Sequence, residues 1–206
     1  MGKIKAINIS NLDGENTFYI NQAILNKNKG IVNDRYYGNF KNIYEQVTFI
    51  ESEKIDDFNK KIKKKLDYKD FRRNIITTGI NLNKLLNKKI QINNVIFKIH
   101  ELCQPCKYLQ NKLEVKNLVK LLAFKSGVRA EILMSGEISI NDQIKIINPY
   151  VTIALIFILF RFFDIFKIFP ANIVDKGLKS AFGVILDDLI AGIYTIITLY
   201  IVNAYF

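Results

Sequence analysis

Nearly all the soft-ligand and thiol chemistry open to this 206-residue chain lies in one stretch. Its only histidine, His100, precedes both cysteines in Glu101-Leu102-Cys103-Gln104-Pro105-Cys106-Lys107. A structural zinc needs four ligands, so two cysteines and one adjacent histidine would require a carboxylate or a second subunit to complete the set. A thioredoxin-like redox pair needs a strand-to-helix setting inside a βαβ unit. The pair does precede a helix-like stretch, but no parallel-sheet pattern surrounds it. Against both stands the plainer alternative of two inert, buried thiols. Two cysteines do not make a disulfide scaffold, and a reducing compartment keeps them as thiols.

Charge is the second source of chemistry. The chain carries 30 Lys and Arg against 19 Asp and Glu, a net +11. Beyond Val151 there are four charges of each sign, so the whole excess belongs to residues 1–150. A positive excess suits nucleic acid, an anionic surface or a phosphorylated ligand. The densest run, Lys60-Lys61-Ile62-Lys63-Lys64-Lys65, reads as a solvated helix face. No RNA-recognition strand, zinc finger or recognition helix accompanies it, so a nucleic-acid partner is not expected. The start, Met1-Gly2-Lys3-Ile4-Lys5, lacks the apolar run of a secretory signal, so residues 1–148 are expected in the cytosol.

The elements that must position these groups are short. Lys3-Ile4-Lys5-Ala6-Ile7-Asn8-Ile9 alternates as a half-buried strand, and Gln46-Val47-Thr48-Phe49-Ile50 is β-branched and strand-like. Ile55, Phe58, Ile62 and Leu66 have helical spacing over Glu51 to Leu66. Leu82, Leu85 and Leu86 suggest a helical turn. Residues 89–99 form a hairpin turning at Asn93-Asn94, which delivers the chain to His100 and the cysteines. Residues 109–124 are helix-like again, and two strands follow around Ser135-Gly136. Many short strands with few helices predict a β-rich α+β fold built as a barrel.

Six ordered motifs carry a resemblance to a known family. They are Gly30…Asp34-Arg35-Tyr36, Gln46-Val47-Thr48-Phe49-Ile50-Glu51, Arg72-Arg73-Asn74-Ile75-Ile76-Thr77-Thr78-Gly79-Ile80-Asn81-Leu82, Glu101-Leu102-Cys103-Gln104-Pro105-Cys106, Gly127-Val128-Arg129-Ala130 and Gly136-Glu137-Ile138. Together they resemble a small bacterial MOSC domain over residues 4–146, the domain named for the C-terminus of molybdenum cofactor sulfurase. The resemblance implies a MOSC-type β-barrel with a pocket for the molybdenum cofactor, a molybdopterin, and a cysteine that binds the metal or carries sulfur. By position that cysteine is Cys106. A thiolate is a soft ligand suited to such coordination. The resemblance further implies that Arg35, Arg72, Arg73 and Arg129 hold the pterin phosphate by forked hydrogen bonds, with Asp34 in the same motif and Asn74 and Thr78 as neutral donors. Asn33 stands where the family usually has glycine, and asparagine tolerates left-handed backbone angles.

The tail differs in kind. Val151 to Phe160 is continuously apolar, and Arg161, Asp164 and Lys167 recur three apart before Pro170. Leu189 to Phe206 is eighteen residues without a charge, entered from Asp187-Asp188. These features predict a helical membrane hairpin over residues 149–206, with the basic domain on the cytoplasmic face of the inner membrane. Residues 151–206 also resemble the C-terminal part of phosphatidylglycerophosphatase A, a magnesium-dependent phosphatase of phospholipid synthesis. That resemblance implies Asp164, Asp187 and Asp188 as ligands for magnesium, and Arg161 and Lys167 as contacts for a lipid phosphate. The family's glycine-rich N-terminal motif and the acidic motif of its middle helices have no counterpart in residues 1–150, so no lipid phosphatase activity is expected of this chain alone.

The expected protein is thus a cofactor-binding MOSC-like domain over residues 1–148, followed by a phosphatase-like membrane fragment over residues 149–206. Its activity would be oxygen-atom transfer, reducing N-hydroxylated compounds, or sulfur carriage, with an unidentified electron or sulfur donor. The alternatives are a lipid phosphatase completed by a second chain and a non-catalytic, membrane-tethered binding module.

Overall fold

In the computed structural model, which describes residues 2–166 and 181–205, the chain divides into two compact units, Met1–Ile147 and Asn148–Phe206. The first holds eleven strands: β1 (Gly2–Ile9), β2 (Phe18–Ile20), β3 (Gln22–Asn26), β4 (Gly30–Ile31), β5 (Val47–Glu51), β6 (Ile75–Thr78), β7 (Lys89–Ile92), β8 (Val95–Leu102), β9 (Val128–Met134), β10 (Gly136–Ser139) and β11 (Gln143–Ile147). Seven of them close a ring in the order β11-β7-β8-β9-β5-β6-β1, with β1 returning to β11 at Gly2 and Lys3. β2 pairs with β1 outside the ring, and β10-β3-β4 forms a separate small sheet. Closure removes the exposed edges that an open sheet of these strands would present.

The hydrophobic pattern explains how the ring is filled. Val47 and Phe49 on β5, Phe97 and Ile99 on β8, and Ala130 and Ile132 on β9 belong to one buried cluster, with Phe49 and Phe97 meeting edge to face at 5.1 Å. Strand β1 would break strict alternation, because Ile4 and Ile7 both join this cluster. A register shift between Ile4 and Ala6 accommodates them. The outer wall is covered as well. Ala6, Ile50 and Ile76 pack with Ile55 and Phe58 of α1 (Ser52–Ile62), Leu109 of α2 (Lys107–Lys112) and Leu118 of α3 (Leu118–Leu121). Burial on both faces suits the β5–β6 pair, which is parallel and crosses over through α1.

The structure revises several elements. The helix expected over 109–124 is two short helices, interrupted where Glu114 and Asn117 take left-handed angles (φ 52° and 61°). The helix expected to reach Leu66 ends at Ile62, because Lys63 turns left-handed as its cap. The hairpin over 89–99 pairs with Ile92 opposite Val95, as its Asn93-Asn94 turn implies. β9 and β10 do not pair with each other; β10 joins β3 instead.

The second unit contains α4 (Pro149–Phe166) and α5 (Ala181–Tyr205). They meet through the rings of Phe163 and Tyr194 at 5.4 Å, and the Thr195 hydroxyl donates to the Ala191 carbonyl at 2.9 Å. The expected membrane hairpin is corrected here: among the described residues no helix is long and apolar enough to cross a membrane. A span needs about 20 predominantly apolar residues. The 18 residues of α4 include the ion pair of Arg161 with Asp164 at 2.7 Å, and α5 carries Asp187 and Asp188.

Two predictions follow from this packing. Gly127 sits at φ +92° with the carbonyl oxygen of Phe49 only 1.9 Å from where a Cβ would stand. Gly127→Ala should therefore cost at least about 3 kcal/mol, seen as a lowered denaturation midpoint. Glu51 is buried within the ring, and desolvation raises its carboxyl above the ordinary 4.5, opposed by the Leu82 amide. The folded chain then holds this proton to higher pH than the unfolded chain does, so ionisation destabilises the fold. The stability of Glu51→Gln relative to the parent should rise as pH climbs above 4.5, measured by denaturant unfolding across pH.

Candidate functional site

The site is built where the loops before β5 and β6 meet the loop after β8. Asn74, the residue preceding β6, anchors it. Its amide oxygen accepts from the Thr48 amide at 3.1 Å and hydroxyl at 2.8 Å, while its amide nitrogen donates to Asp34 Oδ1 at 3.3 Å. Asp34 is buried and also accepts from the backbone of Ser10 at 3.2 Å and Tyr36 at 3.3 Å. Burial raises its carboxyl above the ordinary range, opposed by Arg35 and by these backbone donors. This web pins the 30–38 loop to the barrel. Asn33 takes φ 66° at the turn into Asp34, the geometry for which asparagine can substitute for glycine.

The cysteine loop is held from the other side. The Cys103 amide donates to the Gly127 carbonyl at 2.8 Å, and Cys103 is only 2% exposed. Leu109, 3% exposed, sinks α2 into the outer cluster. Cys106, at the start of α2, is exposed, and its sulfur accepts from the Leu109 amide at 3.5 Å.

Between these walls lies a cavity of about 700 Å³, lined among others by Cys103, Cys106, Asp34, Asn74 and the four arginines 35, 72, 73 and 129. The arginines are not equivalent. Arg73 is committed to the fold, donating from Nε to the Ser126 carbonyl at 2.8 Å and from Nη2 to its hydroxyl at 2.9 Å. Arg129 lies between two carboxylates, Glu45 at 2.8 Å and Glu101 at 2.9 Å; the β8–β9 register sets Glu101 opposite it. Arg35 and Arg72 are different. Their side chains are 7% and 9% exposed, and the nearest carboxylate to each, Asp13, stands 4.0 Å away. Nε and Nη1 of Arg35 are buried without a hydrogen-bond partner. Arg72 donates to the Glu15 carbonyl, and desolvation, aided by the nearby Arg35, lowers its pKa. Tyr36 packs on Arg35 at 4.7 Å and Tyr108 near Arg72 at 5.8 Å. The arrangement can hold an anion beside a reachable thiol.

Some expected residues lie elsewhere. Thr78 is outside the cavity, its hydroxyl donating to Glu53 at 2.7 Å. His100 pairs with Glu131 at 2.9 Å. Among the described residues no three His, Cys, Asp or Glu side chains gather as a metal site. Asp164, Asp187 and Asp188, the residues implied for magnesium, are not part of such a cluster, and Lys167 lies outside the described residues. Asp13, Tyr36 and Tyr108 line the cavity without having been singled out. Tyr36 adjoins the Asp34-Arg35 pair in sequence, whereas Asp13 offered only a turn-forming Asp-Gly step.

Residues 35–145 match the family model described as MOSC domain, and residues 124–203 match the one described as Phosphatidylglycerophosphatase A. Over 47 residues the chain is 45% identical to the phosphatidylglycerophosphatase A of Haemophilus influenzae, a stretch covering 23% of this chain and only 29% of that protein. Among solved structures, the YuaD protein of Bacillus subtilis aligns with a TM-score of 0.63 at 14% identity, covering 70% of this chain and 94% of its own. YiiM of Geobacillus stearothermophilus aligns at 0.61 and 14%, covering 72% and 76%. At such identity the structural likeness concerns the fold alone.

The two thiols should differ in accessibility to reagent. In the native chain a thiol reagent should modify Cys106 rapidly, and Cys103 only once denaturant is added; Cys106→Ser should abolish the rapid phase. Equal rates at both cysteines would contradict the geometry.

Proposed function

Because this chain belongs to the MOSC domain family, we propose that its barrel unit binds the molybdenum cofactor, with Cys106 as the protein ligand of the metal and the Arg35–Arg72 pair as the seat of the pterin phosphate. The observation that carries this reading is the pair of orphaned donors on Arg35, buried beside a second guanidinium. Buried cations without partners are costly, and a phosphate would supply the missing acceptors in forked geometry. The donor set fits the group in its other half too, since the exposed Cys106 sulfur is a soft ligand opening on the same cavity.

When bound, the cofactor supplies two-electron oxygen-atom transfer, here the reduction of N-hydroxylated compounds with electrons from a separate donor. The chain's own residues bind and orient. Arg35 and Arg72 hold the phosphate end. Asn74 and Asp34 keep the arginine loop in place through their hydrogen bonds. Arg73 braces the Ser126-Gly127 turn, whose carbonyl holds Cys103. Arg129, already balanced by Glu45 and Glu101, shapes the wall instead of adding charge. The unit works in the cytosol, where its cysteines stay reduced.

A second reading, carriage of a sulfane sulfur on Cys106, draws on the same exposed atom. The phosphatase-like stretch spans only 29% of the phosphatase it matches, so that protein's activity is not carried over to this chain.

Expression in a host that makes the cofactor tests the reading. The parent chain should copurify with molybdenum and pterin, Cys106→Ala should lose most of the metal, and Arg35→Gln should lose pterin and metal together. Equal molybdenum in the parent and Cys106→Ala would remove the proposed ligand. A reductant-labile gain of one sulfur at Cys106, without metal, would favour sulfur carriage.

A further inference from the structure

Residues 11–16 join β1 to β2, and their Asp13 and Gly14 line the cavity. At their base the buried Ser10 hydroxyl donates to the Leu12 carbonyl at 2.8 Å and the Glu15 carbonyl at 3.4 Å, and residues of the site hold them from the other side. Arg72 donates to the Glu15 carbonyl, Lys112 to the Gly14 carbonyl at 3.2 Å, and the Tyr36 hydroxyl to Asp13 Oδ1 at 3.3 Å. Gly14 takes φ +82° with open space around it.

Asp13 is the carboxylate of this segment that approaches the arginines, and its Oδ1 also accepts from the Gly14 amide at 3.0 Å. Its side chain is 78% exposed, yet Oδ1 stands 4.0 Å from both Arg35 Nε and Arg72 Nη2. That is too long for a hydrogen bond, so the carboxylate screens the two cations without satisfying them. Asp34, the other carboxylate beside Arg35, is already engaged by Ser10, Tyr36 and Asn74. Arg72 also lines a second cavity of about 350 Å³, with Lys69 and Lys112, on the Asn16–Thr17 side of the segment.

We propose that Asp13 is a built-in competitor for the anion site: its carboxylate occupies the approach to Arg35 and Arg72, and a phosphate-class group must displace it, moving residues 11–16 as a strap. The inference rests on the anion-binding reading above and adds a residue that sets how tightly the site holds its ligand. Displacement replaces a distant contact with direct hydrogen bonds to Arg35 Nε and Nη1 and releases Arg72 from the Glu15 carbonyl.

The experiment is calorimetric titration of the full, cofactor-free chain with inorganic phosphate. A largely exposed ion pair is worth at most about 1 kcal/mol, so Asp13→Asn should bind phosphate up to about fivefold more tightly than the parent. Arg35→Gln should lose binding. The chain contains no tryptophan, and Leu12 is 62% exposed, so Leu12→Trp places a single, selectively excitable tryptophan on the strap. Its emission should change with the same half-saturation as the heat signal, and cofactor-loaded chain should give neither response. Phosphate binding that is unchanged or weaker in Asp13→Asn overturns the competitor, and saturation without an emission change overturns the strap. Absence of phosphate binding in both the parent and Asp13→Asn overturns the anion site itself.

Discussion

Two guanidinium groups held side by side in a poorly solvated wall are the constraint on which the site depends. Arg35 and Arg72 repel each other, and both are removed from water; Arg72 is lowered by desolvation first and by Arg35 second. Such an arrangement is unfavourable in isolation and persists only where the surrounding structure over-determines it. Here the backbone does so. Arg72 takes φ 56° at the end of the single turn Tyr68–Phe71, and the Arg35 amide donates to the Ser10 carbonyl at 2.7 Å.

The barrel supplies the stiffness this requires. In β5 and β6, one set of side chains fills the ring and the other receives α1, α2 and α3, so both strands are fixed from two sides. Their parallel pairing brings Thr48, near the start of one, beside Asn74, just before the other. Gly127 completes the frame, because only a residue without Cβ can approach the Phe49 carbonyl closely enough for its own carbonyl to reach Cys103. The same close approach that brings β9 against β5 therefore places the cysteine loop.

Much of this was legible in the residues. The strand at 3–9, the hairpin about Asn93-Asn94 and the strand at 47–50 follow from alternation and turn chemistry, which act locally. So does the tolerance of Asn33 for a left-handed turn. Less legible were β2 and β4, of three and two residues, which are too brief to show a period, and β3, which pairs with both β4 and the distant β10. The single helix expected over 109–124 failed because apolar spacing does not report the backbone reversals at Glu114 and Asn117. The apolar tail misled in a related way. Its hydropathy suggested a membrane hairpin, but the extent of each helix, and where Arg161, Asp164, Asp187 and Asp188 fall within it, counts against a span.

The candidate site shows the same division. Residue types and order alone determined that a thiol pair, several arginines and an Asp-Arg loop belong to one barrel domain, because those features reside in short motifs. Tertiary structure alone decided which arginines remain available. Arg73 is bound to Ser126 and Arg129 lies between Glu45 and Glu101, whereas Arg35 and Arg72 line the cavity with the Asp13 carboxylate 4.0 Å from each. It likewise decided that Thr78 faces Glu53 and that Cys106, not Cys103, is exposed. The physical reason is that a charge or a thiol is defined by its neighbours, and these come from strands and loops tens of residues apart, whose meeting is set by barrel closure and not by any local pattern.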